Sequence, residues 1–105
     1  MSSELIQHWT GEWKIQNKKS DWNNTSISLI QQNFNTLKQK KKEDAQIWKI
    51  KVDSNNAKHG IFIVLKKNGR MKVYKGQMSE TNNIIRWRDY KSNKIVDKWI
   101  KSAKN

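Results

Sequence analysis

The sequence has no cysteine, no proline and only four glycines. Without cysteine there are no disulfides, thiolate metal sites or cysteine nucleophiles. His8 and His59 are the only imidazoles and neither has a carboxylate cluster beside it, so no metal site is expected. No Ser/His/Asp order, glycine-rich phosphate loop or pair of carboxylates in a plausible site is present, and an ordinary enzyme is a poor fit. The first residues, Met-Ser-Ser-Glu-Leu, lack a basic region followed by an apolar run, and no apolar segment is long enough to cross a membrane. The expectation is a soluble, cytoplasmic protein that does not enter membranes. Apolar residues make up only 34% of the chain. A single domain over residues 1–105 must therefore build a modest core from large side chains, which its six tryptophans supply.

Positive charge is abundant. Lys and Arg number 22 against 9 Asp and Glu, a formal net charge of +13. Such an excess attracts an acidic partner, with nucleic acid the default candidate. The cations are nearly all lysine, with Arg70, Arg86 and Arg88 the only arginines. Lysine supplies point charge, whereas bidentate recognition of bases or carboxylates prefers arginine.

Residues 60–76 carry the clearest local signal. The apolar run over residues 61–65 is mostly β-branched or aromatic and too short for a typical helix. Asn68-Gly69 suits a two-residue type I′ turn, and Met71 and Val73 form a second strand that breaks at Gly76. Residues 3–9 suit a helical turn, capped by Ser2 or Ser3, with Leu5, Ile6 and Trp9 facing inward. Residues 12–16 and 25–31 alternate as strands. The stretch 33–37 is ambiguous, with Phe34 and Leu37 its only anchors, and the charged run 38–44 reads as a loop tip or strand end. Trp48, Ile50 and Val52 alternate with Lys49 and Lys51, as Ile85 and Trp87 do with Arg86 and Arg88. Turns over 21–24, 53–56, 79–83 and 91–93 separate these segments from a last strand over 95–100. Seven or eight short strands joined by polar turns predict an all-β antiparallel meander, and closure into a small barrel removes its exposed edges.

A short helical turn followed by Gly11-Glu12-Trp13 at the start of the first strand is similar to the Gly-x-Trp opening of the calycins, the lipocalin-like barrels. Within that superfamily the chain resembles the S-type phycobiliprotein lyases, which open with Gly-x-Trp-x-x-Gln-Arg-Thr and carry an acidic-basic-Trp segment near the end. Gly11, Trp13 and Gln16 match the first motif, with Asn17 and Lys18 in place of its Arg and Thr. Asp97-Lys98-Trp99-Ile100 looks like the second, without the arginine pair that follows it in the family. The likeness covers the two ends and the strand rhythm between them. It implies a calycin barrel that holds a bilin, a linear tetrapyrrole not covalently attached, and presents it to an acidic phycobiliprotein subunit. If the protein is an enzyme, it would be a chromophore lyase. Asp97 would then stabilise a protonated bilin. Trp13, Gln16, Trp48, Trp87 and Trp99 would line the cavity, and Arg86 and Arg88 or the lysines would meet the propionates.

Two other readings rest on the same residues. The tryptophans suit a filled core as well as a cavity, and the barrel would then bind an acidic protein through its surface. Alternatively, Lys49, Lys51, Arg70 and Lys72 form a basic surface, with Tyr74, Trp22 or Tyr90 as stacking platforms, that holds single-stranded nucleic acid. An empty or filled interior, and the grouping of lysines on one face, discriminate among these readings.

Overall fold

Period-two alternation governs nearly every strand. In a computed structural model describing residues 6–17, 23–39, 47–65 and 68–102, and only the backbone of Ile47 and Trp48, it produces a closed antiparallel barrel. The strands are β1 (Gly11–Gln16), β2 (Ser26–Asn33), β3 (Thr36–Gln39), β4 (Ile47–Val52), β5 (His59–Leu65), β6 (Met71–Met78), β7 (Ile84–Asp89) and β8 (Ile95–Lys101). Each pairs with its neighbour in sequence. β1 and β8 close the ring, with Ile15 opposite Trp99 and Gln16 opposite Lys98. The all-β meander and its closure are as the sequence predicts.

Inward positions supply the core: Trp13 and Ile15 from β1, Ile27 and Leu29 from β2, Leu37, Ile50 and Val52 from β3 and β4, Met78 from β6, Ile85 and Trp87 from β7, and Trp99 from β8. Full burial of such side chains stabilises by roughly 1.5–3 kcal/mol each. A 3₁₀ turn (Gln7–Trp9) seals one end. Fully buried Trp9 donates its indole N–H to the Ala57 carbonyl at 2.7 Å, and Trp13 donates to the Trp9 carbonyl at 2.9 Å. Lys101 lies over the Trp13 ring, 4.6 Å from its centroid, and its ammonium donates to the carbonyls of His8 and Thr10. The helical turn expected over residues 3–9 is thus a 3₁₀ turn in its described part, and its proposed caps lie outside the described residues.

Asparagine, rather than glycine, makes several of the hairpin turns. Asn24, Asn82 and Asn93 adopt φ of 68°, 61° and 62°, the left-handed region that asparagine tolerates better than most residues. Asp89 organises the β7–β8 turn by accepting the backbone N–H groups of Lys91 and Ser92.

Three local expectations are corrected. Leu65 pairs with Met71 and Val64 with Lys72, so the β5–β6 register centres on Asn68. That parity requires an odd number of joining residues and excludes the two-residue turn at Asn68-Gly69. Gly76 does not end a strand, because β6 runs through it to Met78. A Cβ on Gly76 would stand 2.4 Å from Cζ3 of Trp87, so the residue is glycine to let that indole lie on the strand. Phe34 is no anchor. It sits 53% exposed in the turn between β2 and β3, while Leu37 alone is buried.

Candidate ligand-binding interior

The barrel interior divides along its axis. Toward the sealed end it is filled: Trp9 meets Trp87 at 6.1 Å between ring centroids, and Trp87 meets Trp99 at 5.1 Å. Phe62 contacts Trp87 at 5.3 Å and Trp99 at 5.5 Å, and tilted or edge-on geometries run through the cluster, as aromatic quadrupoles prefer. This answers the question of an empty or filled centre: among the described residues, the tryptophans are mainly core.

Toward the opposite end the interior becomes polar. Asp97 stands directly across from Trp87 on the neighbouring strand and two residues from Trp99. A bulge at this point, where β8 passes from Asp97 opposite Trp87 to Ile95 opposite Arg88, also turns Val96 against the core. Asn17 donates its side-chain amide to Asp97 Oδ1 at 2.7 Å. Burial pushes the Asp97 carboxyl above the usual carboxylate range, and the Asn17 hydrogen bond opposes the shift. Tyr74 packs on Phe62 at 5.7 Å, and its phenol is pushed up by burial and then by the charges of Asp97 and Asp89. Tyr74 therefore remains an O–H donor at neutral pH.

The indole Nε1 groups of Trp87 and Trp99 are buried and have no hydrogen-bond partner among the described residues. Trp9 and Trp13, in contrast, place theirs on backbone carbonyls. A buried unmet donor costs about 1–3 kcal/mol. Two of them lie in one cluster, beside the raised carboxyl of Asp97.

The residues expected to contact a ligand are only partly brought together. Trp87, Trp99 and Asp97 converge. Trp13 lies inside, but at the sealed end with its N–H already used. Trp48 pairs with Val64 through its backbone, and its side chain is outside the described residues. Gln16 and Arg86 are exposed on the outer surface, because alternation turns them away from inward Ile15 and Trp87. Arg88 also faces outward and donates to the Asn93 carbonyl at 3.1 Å. None of these three lines the interior. Among the residues considered for nucleic acid, Lys49 and Lys51 are exposed on β4, and Arg70 and Lys72 are exposed at the β5–β6 hairpin. Tyr74, expected as an exposed stacking surface, is instead turned into the barrel against Phe62. Trp22 is outside the described residues, and Tyr90 is 56% exposed with the Lys75 ammonium 5.7 Å from its ring centroid.

Sequence reasoning missed Asn17, Phe62 and the inward role of Tyr74. Phe62 was legible as the middle of the apolar run. Asn17 carried no signal of its own, since its partner is 80 residues distant. Among the described residues no group of His, Asp and Glu could hold a metal ion, and no helix is long and apolar enough to span a membrane. No protein-family model matches the chain, and neither does any curated protein or solved structure compared with it.

Proposed function

We propose that the barrel binds a planar, conjugated small molecule at the Asp97 end of its interior and carries it to a protein partner. The observation behind this reading is the pair of buried indole donors on Trp87 and Trp99 that have no hydrogen-bond partner among the described residues. A ligand that brings carbonyl or carboxylate oxygens to these N–H groups replaces an unmet cost with two hydrogen bonds. Because Phe62, Trp87 and Trp99 already pack on one another at 5.1–5.5 Å, its ring would lie against the Asp97 end of this cluster and not between its members. Asp97 would accept an N–H from the same molecule or balance a cationic conjugated system, a charge-assisted contact favoured by the dry surroundings. Tyr74 would supply a further donor.

A bilin has this chemistry: lactam carbonyls, pyrrole N–H groups that take up a proton, and two propionates. Lys72, opposite inward Val64 and two residues from Tyr74, would meet a propionate. The resemblance to S-type lyases supplies the same ligand class, and the charge of +13 favours encounter with an acidic phycobiliprotein. The protein's own chemistry would then be conformational: holding the chromophore in one shape and keeping water from it.

Nucleic acid is the weaker reading. Among the described residues, the exposed cations include Lys14, Lys49, Lys75 and Arg86 on β1, β4, β6 and β7, spread over four strands of the ring. Titration with phycoerythrobilin, following bilin absorbance and Trp fluorescence at low and high salt, tests the proposal. A saturable red shift with Trp quenching that persists at high salt, and weakens in Trp87→Phe and Trp99→Phe, is expected. A response that disappears with salt would mean that an anion met a cationic surface, and would overturn the interior site.

A further inference from the structure

A second surface lies on the outside of the barrel, across β4, β5 and β6. Alternation that turns Phe62 and Val64 inward turns Ile61, Ile63 and Leu65 outward, an apolar stripe along β5. The register places Val73 beside Ile63 and Met71 beside Leu65, widening the stripe onto β6. Leu65 is 40% and Met71 64% exposed. Outer sheet faces of a free barrel are ordinarily polar, so apolar side chains adjoining over two strands mark a contact surface.

Charge borders the stripe on both sides. Lys49 stands opposite Ile63 and Lys51 opposite Ile61 on the β4 side, and both are exposed. On the other side Lys75 pairs with Ile61, and Arg88 lies next to Lys75 on β7. Tyr90, donating its backbone N–H to the Val73 carbonyl, adds an aromatic edge with the Lys75 ammonium above it. The complement is an apolar stripe with acidic residues along the side that meets Lys49 and Lys51 and at the end that meets Lys75 and Arg88, which pair with each other at the level of Ile61.

We infer that this face docks an acidic amphipathic helix of a partner protein. The stripe from Ile61 to Leu65 is about 14 Å long at ~3.4 Å per residue. Helix anchors at i, i+4 and i+7 span about 10 Å and fit within it. Aspartates or glutamates beside those anchors would face Lys49 and Lys51 along one side, and Lys75 and Arg88 at the Ile61 end of the other. Single-stranded nucleic acid fits less well, since the stripe gives phosphates nothing to bond. A bilayer fits less well too, because Ile61, Ile63 and Val73 are half-buried, which leaves Leu65 and Met71 as the exposed apolar residues of the stripe. The face lies outside the barrel and is independent of the interior site.

The test is fluorescence anisotropy with a labelled helical peptide carrying leucines at i, i+4 and i+7 flanked by glutamates. A scrambled peptide of the same composition serves as its control. Saturable binding of the helical peptide is expected, weakened about tenfold by Met71→Glu with Leu65→Glu and several-fold by Lys49→Glu with Lys51→Glu. Lys14→Glu, on β1, should leave it unchanged. The substituted side chains are exposed, and circular dichroism would check that each variant keeps its fold. Equal binding of the scrambled peptide, no binding of either, or insensitivity to the Met71 and Leu65 changes would overturn the inference. So would displacement of the peptide by a single-stranded oligonucleotide or by phosphatidylserine vesicles that bind the apolar-face variants as well as the unaltered protein.

Discussion

Gly76→Ala reports on the packing of the whole aromatic cluster. Gly76 has no positive φ, so alanine there would ordinarily stabilise, by about 0.4–1 kcal/mol through the unfolded chain. The structure reverses the sign. The added methyl carbon would lie 2.4, 2.6 and 2.8 Å from three carbons of the Trp87 six-membered ring. That ring is fully buried and packs on Trp9, Phe62 and Trp99, so it could yield only by moving those rings with it. Overpacking of this kind costs about 1–3 kcal/mol, so Gly76→Ala is expected to destabilise by that amount in urea unfolding, with reduced near-ultraviolet dichroism. Trp87→Phe removes the clashing carbons. The double variant should therefore be more stable than the sum of the two single changes by about 1 kcal/mol or more. Stabilisation by Gly76→Ala alone, or strict additivity of the pair, would refute the placement of Trp87 across β6.

Asp97→Asn should stabilise the protein at neutral pH. Its folded carboxyl is raised by burial, so the unfolded chain loses this proton first as pH rises through the ordinary carboxylate range. Stability then falls until the folded group also ionises. Denaturant unfolding from acid to neutral pH should show the variant's advantage appearing as pH rises and absent below the unfolded carboxyl's range; an advantage independent of pH would contradict this. Trp9→Phe removes the hydrogen bond to Ala57 and part of the end seal, and should cost about 2 kcal/mol by the same measurement. Lys101→Met keeps the stem over Trp13 but loses the ammonium contacts to His8 and Thr10; a loss of about 1 kcal/mol and faster amide exchange of residues 6–10 are expected.

Much of the barrel was legible because its strands keep one face apolar. Trp13 with Ile15, Ile50 with Val52, and Ile85 with Trp87 all alternate against charged or polar neighbours, and each pair is buried as that pattern requires. Legibility failed where local chemistry was outweighed by a distant contact. Gly76 looked like punctuation because nothing nearby in sequence announces the Trp87 indole above it. The Asn68-Gly69 pair satisfied a turn rule, yet the inward demand of Phe62 and Val64 against Tyr74 and Lys72 set a different register. In the candidate site, alternation correctly put Trp87 and Trp99 on one side and should equally have removed Gln16 and Arg86. Treating motif neighbours as site neighbours hid that. Tyr74 is hidden in the sequence for the opposite reason: Lys72 and Lys75 stand near it, but Gly76 and Met78 share its inward face.

The proposed interior site rests on the buried N–H groups of Trp87 and Trp99, which have no hydrogen-bond partner among the described residues. Nitrogen-15 NMR of the six tryptophan indoles, assigned by single Trp→Phe variants, observes those groups directly. Without ligand, the Trp87 and Trp99 signals should lie upfield of those of Trp9 and Trp13, whose N–H groups are bonded. Addition of phycoerythrobilin should move both downfield in a saturable way. Downfield positions in the free protein, or signals that stay fixed while surface resonances shift, would contradict the account.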